Sequence, residues 1–264
     1  MFKRVMVAVV GLPLLILILG WAPSWATMLL LAAMCAIGAW ELMRAAAGER
    51  GKPLTVIAAA AVPVCVYGEM SIENTELTAL PVLPFAALLG AVFIFAIFAL
   101  AIHRYDEEQG IPFAAVTCAI FAGLAFPLMF SCLLRLRMMP AIGMLQVFLP
   151  LAISFGSDTF ALFAGMLCGK HKLAPKVSPK KTVEGAIGGL LGFKLVADSM
   201  AHTLTVYPPI EMAAGPQISW GAVFALGIIG STISQIGDLS FSVIKREFGV
   251  KDYGNLLPGH GGIL

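Results

Sequence analysis

Charge is what this chain has little of. Asp, Glu, Lys and Arg make up 12% of its 264 residues, where a soluble domain carries about 25%. So few charges cannot cover a water-facing surface, and a soluble globular fold is excluded. With 59% hydrophobic residues and a mean hydropathy of +0.93, the chain reads as an integral membrane protein. Runs this long and unbroken satisfy their backbone in lipid as helices, so the fold class is all-α, a polytopic membrane helical bundle. The chain also lacks any Cys-x-x-Cys pair, internal repeat or low-complexity tract. Its five cysteines (Cys35, Cys65, Cys118, Cys132 and Cys168) lie in or beside apolar runs and read as packing residues rather than metal or disulfide ligands. The formal net charge of +2 says little, because where the charges sit matters more, and nucleic acid is not among the expected partners.

Apolar runs of about 20 residues give eight candidate helices, near 5–22, 25–46, 54–71, 78–103, 112–134, 140–168, 183–206 and 217–243. They form one membrane domain, with N-terminal helices over 1–139 and polar-decorated helices and loops over 140–264. The opening 26 residues have features of a cleaved signal, but a second apolar run follows at once and a retained helix is the better reading.

The basic residues choose an orientation. With the N-terminus cytoplasmic, fourteen of the seventeen face inside: Lys3, Arg4, Arg44, Arg50, Lys52, Arg104, Lys170, Lys172, Lys176, Lys180, Lys181, Lys245, Arg246 and Lys251. Only Arg135 and Arg137 fall outside, and Lys194 lies within a helix. The expected location is the cell's inner (cytoplasmic) membrane. Two of the inside segments, "GKHKLAPKVSPKKTVEG" (169–185) and "KREFGVKD" (245–252), are lysine-rich, and prolines keep the first from being helical. Basic flanks of this kind also serve simply to attract lipid headgroups.

Acids inside membrane segments are costly and so are candidates for function. Ser157 and Asp158 sit in the cytoplasmic half of the sixth helix, and Asp238, Ser242 and Lys245 share one face of the eighth. Asp238 could simply pair with Lys245 or Arg246. Two aspartates at one depth beside lysine loops equally suit a divalent cation and phosphates, and both readings stay open. Lys194 and Asp198, followed by His202, read as a mutually neutralising pair in the seventh helix. Gly185, Gly188, Gly189 and Gly192 give the small-residue spacing of close helix packing. Glu41 with Arg44 is expected at the membrane interface, with no derivable role. "GMLCGK" (165–170) fails as a phosphate-binding P-loop and "SVIK" (242–245) as a serine–lysine nucleophile, for want of spacing and companion motifs.

At these residues the chain resembles the CDP-diacylglycerol synthases, or phosphatidate cytidylyltransferases. "SDTFALFAGMLCGKHKLAPKVSPKKTVEG" is similar to the family's Ser-Asp helix and lysine-rich loop, and "GDLSFSVIKREFGVKDYGNLLPGHGGIL" to its C-terminal signature. Leu162 stands where the family often has tyrosine. The resemblance implies transfer of CMP from CTP to phosphatidate, giving CDP-diacylglycerol and pyrophosphate, within the lipid bilayer. It implies Mg²⁺, with a second cation left open, on Asp238 and Asp158. Lys170, Lys180, Lys181, Lys245, Arg246 and Lys251 would clamp phosphates, and Ser157 and Ser178 would donate hydrogen bonds to them. Thr182, Glu184, Ser242 and Asp252 fall within the substrate-binding motifs. Gly259, His260, Gly261 and Gly262 would bring backbone and imidazole to the substrate. A homodimer is left open. The family signature continues beyond the position of Leu264 with a further aspartate and a final helix, so a truncated and inactive chain is an expectation. The rival readings are a lipid or polyprenol kinase and a secondary transporter of a phosphorylated anion. Transporters often show paired repeats, whereas polar residues here crowd into one half.

Overall fold

The computed structural model describes residues 2–62, 82–105, 110–139, 146–192, 220–254 and 262–264. Lys194, Asp198, His202, Gly259, His260 and Gly261 lie outside the described residues. So do about half of the third expected helix and more than half of the seventh.

The described chain is almost wholly helical, as its apolar runs require. In order come α1 (Phe2–Gly20), α2 (Ser24–Ala47), a 3₁₀ turn (Gly48–Gly51), α3 (Lys52–Val62), α4 (Val82–His103) and α5 (Phe113–Met138). Then follow α6 (Phe148–Cys168), a two-stranded hairpin of β1 (Lys172–Ala174) and β2 (Ser178–Thr182), α7 (Val183–Gly192) and α8 (Trp220–Glu247). Among the described residues, four helical segments are long and apolar enough to cross a membrane: Ser24–Ala47, Phe113–Met138, Phe148–Cys168 and Phe224–Glu247. The chain is therefore a multi-pass membrane protein. Large apolar side chains such as Phe95 and Ile102 on α4 and Phe155 and Leu167 on α6 face outward, as lipid contact demands.

The chain divides into two compact units, residues 1–138 with 248–264, and residues 139–247. The segment after α8, residues 248–264, packs with the first unit. In that unit α2 is the central element and lies against α1 and α5, while α4 packs on α5. Leu31, Cys35, Ala39, Leu42 and Met43 form its buried stripe, with Val116, Ala119 and Phe126 from α5. Midway along α5, residues Phe121–Ala125 widen into a π-helical turn. Gly123 sits in that turn, where a Cβ would collide with the Phe93 ring of α4. Arg137, on the wrong side for the positive-inside bias, is put to use: Nη2 donates to the carbonyls of Gly20 (3.2 Å) and Ala22 (3.3 Å). Those carbonyls end α1 and have no partner in a following turn.

In the second unit α6, α7 and α8 pack by two devices. One is the glycine stripe. A Cβ at Gly188 would meet Ala164, and one at Gly192 would meet the Phe160 ring, so α7 approaches α6 nearly backbone to backbone. The other is a polar ladder between α6 and α8. Ser154 and Ser234 hydroxyls lie 3.0 Å apart, and Ser157 and Ser231, both buried, 2.6 Å apart. Gln235 Nε2 donates to the Ala186 carbonyl of α7 at 3.2 Å, joining the third helix to the ladder.

A side chain at Gly192 must push Phe160 aside. Gly192→Leu is expected to destabilise the second unit by about 1–3 kcal/mol, a typical overpacking penalty. Gly11→Ala, at a position with nothing within 4 Å, should leave stability near wild type. Thermal midpoints in detergent check both, and equal midpoints for the two variants would contradict close α6–α7 packing.

Candidate active site

The lysine loop is expected to be non-helical, and its structure is a β-hairpin that the sequence reading did not resolve. Pro175 occupies the second position of a turn in which the Val177 N–H donates to the Ala174 carbonyl at 3.2 Å, a position its fixed φ suits. Strands β1 and β2 pair antiparallel, with Lys172 opposite Thr182 and Ala174 opposite Ser178. Pro179 is tolerated because a two-stranded ribbon has only edge strands.

The hairpin is clamped where it meets α7. Thr182 caps the helix, its hydroxyl accepting the Gly185 N–H at 3.1 Å. The Glu184 carboxylate accepts the N–H groups of Lys170 (3.1 Å) and His171 (3.2 Å) and lies 2.6 Å from His171 Nδ1. Its own backbone N–H and then the His171 bond hold the Glu184 carboxyl at about 2, well below the usual 4.5. At the far end, Arg246 Nε donates to the Val177 carbonyl at 3.2 Å, tying the hairpin turn to the end of α8.

This fastening delivers Lys181 to Asp238. The two side chains form an ion pair, with Asp238 half-exposed and Lys181 more sheltered. The cation supplied to Asp238 thus comes from the hairpin, a different element from its own helix. Asp158 on α6 interacts electrostatically with both Asp238 and Lys181. All three line a cavity of about 540 Å³ with Lys180, Thr182 and Gln235. The rest of its wall is small or apolar: Ala161, Leu162, Gly165, Met166, Leu173, Gly185 and Ala186. The lining thus combines carboxylates and ammonium groups with apolar side chains.

Of the residues singled out from sequence, Asp158, Asp238, Lys180, Lys181 and Thr182 meet at this cavity. Ser157 does not line it. Its hydroxyl is fully buried against Ser231, so it holds α6 to α8 instead of donating to a phosphate. Lys170 and Glu184 stand at the hairpin base, Ser178 opens β2, and Ser242, Lys245 and Arg246 follow on α8. Lys251 and Asp252 are exposed in the first unit, and Gly262 lies there against Glu41. Glu41, for which the sequence offers no role, is fully buried in the protein. Gln235 stands out in sequence only as one polar residue of the last helix and receives no role there, because an amide among serines carries no charge signal. Its place in the ladder and in the cavity wall comes from three-dimensional contact alone.

The donor set suits a hard cation. Asp158 and Asp238 come from different helices and face one roomy cavity, and among the described residues no cluster of three or more His, Cys, Asp or Glu forms. Two carboxylates, with retained waters and substrate phosphates completing the shell, is a common way to hold Mg²⁺.

A family model described as Cytidylyltransferase family matches residues 2–264. Among similar curated proteins, one from Brucella abortus biovar 1 (strain 9-941) is 38% identical over 165 residues, covering 62% of this chain and 54% of its own. One from Bacillus subtilis (strain 168) is 31% identical over 173 residues, covering 66% and 61%. One from Staphylococcus aureus (strain COL) is 44% identical over 108 residues, covering 41% and 38%. All three are named phosphatidate cytidylyltransferase. Over its matched region the chain spans about half the length of the first of these relatives.

The clamp at the hairpin base has a pH signature. Because the folded Glu184 value lies below the ordinary one, its contribution is fully present above 4.5 and is lost only as pH falls through about 2. Hydrogen-exchange protection of the Lys170 and His171 amides is thus expected to hold steady between about pH 7 and 5, clear of that window. Glu184→Ala should abolish it. Protection that survives this substitution would show that the carboxylate does not clamp the loop.

Proposed function

The chain belongs to the cytidylyltransferase family, and from that premise we propose that it transfers CMP from CTP to phosphatidate. The observation that carries this reading is the cavity itself, where Asp158, Asp238, Lys180 and Lys181 meet beside an apolar wall of Leu162, Met166 and Leu173. One substrate is a lipid whose phosphate sits at headgroup level, and the other is a water-soluble triphosphate. A pocket lined by both charged and apolar side chains accommodates both.

In the proposed reaction a phosphatidate phosphate oxygen attacks the α-phosphorus of CTP. The new O–P bond forms as the bond to the β-phosphate oxygen breaks, and pyrophosphate leaves with that electron pair. Lys180 and Lys181 bind the phosphates and offset negative charge as it shifts toward the leaving group. Lys170, Lys245 and Arg246 add positive charge around the hairpin, and Lys251, Asp252 and His260 enter through the family resemblance. Asp158 and Asp238 would hold Mg²⁺. Bound there, the cation would supply Lewis-acid polarisation of phosphate oxygens. The Lys181–Asp238 pair suits this role, because each partner has an alternative counter-ion when substrate and metal arrive: phosphate for the lysine, the cation for the aspartate. The apolar wall shields the reacting end from bulk water, which strengthens each of these interactions.

The finer topology belongs to the same proposal. Eight spans with a cytoplasmic N-terminus put the hairpin and the residues after α8 on the cytosolic side of the inner membrane, where CTP is available. Arg137 donating to the α1–α2 connection supports a shared side for that connection and the end of α5, as this topology needs.

Asp238→Asn removes the charge at nearly constant shape. In vesicles containing phosphatidate, Mg²⁺-dependent formation of CDP-diacylglycerol from CTP is expected to fall by about 100-fold or more. Lys176→Gln, at the exposed hairpin turn, should stay near wild type. An active Asp238→Asn protein would remove the two-carboxylate model. For topology, cysteines placed at Lys176 and Glu211 should react with an impermeant maleimide from opposite sides of intact cells. Labelling of both from outside would overturn the orientation.

A further inference from the structure

We infer that Glu41 is a positioning residue that seats the C-terminal signature segment on helix α2, accepting the Ile263 and Leu264 amides and contacting Gly254 and Gly262. Glu41 is fully buried in an apolar helix, where a carboxyl group is retained only if something meets it. What meets it is main chain. Oε2 accepts the N–H of Ile263 at 2.8 Å and of Leu264 at 3.2 Å, across 222 residues of sequence in the first case.

The fit is tight on both flanks. A Cβ at Gly262 or at Gly254 would collide with the Glu41 carboxylate, so both positions need glycine for the backbone to come this close. These two glycines bracket residues 255–261. Their meeting at one carboxylate brings the ends of that run together. One turn earlier on α2, a Cβ at Gly38 would stand 3.2 Å from the Leu264 side chain, so the helix is relieved there as well. Tyr253, beside Gly254, is buried too, while Lys251 and Asp252 just before it are exposed. The pattern is an anchored base with exposed charged residues leading to it. Glu41 Oε1 is buried and has no hydrogen-bond partner among the described residues, which leaves the anchoring to the Oε2 bonds.

Glu41 lies in a part of the chain with no motif of its own. Its proposed consequence for turnover rests on the cytidylyltransferase reading, through the signature residues on the segment it holds. The anchoring does not rest on it.

The test separates the two. Hydrogen exchange of the Ile263 and Leu264 amides is read in the whole protein in lipid nanodiscs, with thermal midpoints as a folding control. Glu41→Leu keeps an apolar helix surface without an acceptor and should speed exchange about tenfold, the scale of a lost hydrogen bond to a carboxylate. Glu41→Gln keeps an acceptor at the same reach and should restore most of the protection. Gly262→Ala attacks the contact from the other side and should speed exchange as well, which keeps the inference testable should Glu41→Leu misfold. Unchanged exchange in folded Glu41→Leu and Gly262→Ala would overturn the anchor. In the activity arm, kcat/KM for CTP should fall in Glu41→Leu and recover in Glu41→Gln at equal thermal midpoints. Full turnover in folded Glu41→Leu with its exchange accelerated would overturn the positioning role. A full-length wild-type protein that lacks turnover yet shows the expected exchange pattern would instead count against the cytidylyltransferase reading and leave the anchor standing.

Discussion

An aspartate in the membrane end of an apolar helix needs a cation within reach, and the cation that answers Asp238 comes from a different element. Lys181 reaches it only because the hairpin is fastened at three points: the Pro175 turn, the Glu184 carboxylate at the base and the Arg246 contact from α8. A partly exposed ion pair of this kind contributes little stability. Its value is geometric, since it fixes a lysine and an aspartate side by side in one cavity while leaving both open to exchange partners. Thr182, next in sequence to Lys181, starts α7 and so sets the direction in which the third helix leaves the site.

Helices in lipid gain no hydrophobic advantage from touching one another, and the second unit shows two substitutes for it. Between α6 and α7 the substitute is proximity, because glycines let dispersion contacts form along the backbones. Between α6 and α8 it is hydroxyl pairing, crowned by Gln235. The glycine stripe permits the ladder: a Cβ at Gly189 would sit 2.9 Å from Gln235 Nε2 and 3.0 Å from Ser157 Oγ. The same small residue serves both contacts.

What could be read from the sequence was set by charge and periodicity. Apolar run lengths placed the helices to within a few residues where described: 25–46 against Ser24–Ala47, and 217–243 against Trp220–Glu247. Asp158, Asp238 and the lysine loop stood out because charges are costly in lipid. The hairpin did not, since five lysines within twelve residues carry no strand alternation, and the turn is visible only once the Ala174–Val177 bond is seen. Ser157 illustrates a related point. A hydroxyl beside a functional carboxylate looks like a ligand, but the direction of its side chain depends on which helix lies behind it. Glu41 was the largest miss, because both of its partners are backbone amides, which any residue but proline supplies.

The separation between Glu41 and its partners also orders the protein in time. A chain is made from its N-terminus, so α2 enters the bilayer carrying a buried acceptor more than two hundred residues before Ile263 exists to donate to it. The first unit begins earliest and is finished last. The second unit, whose contacts run from α6 to α8, can close as soon as Glu247 has been added. Throughout that interval the first five helices must assemble around a seat whose occupant has not yet been synthesised.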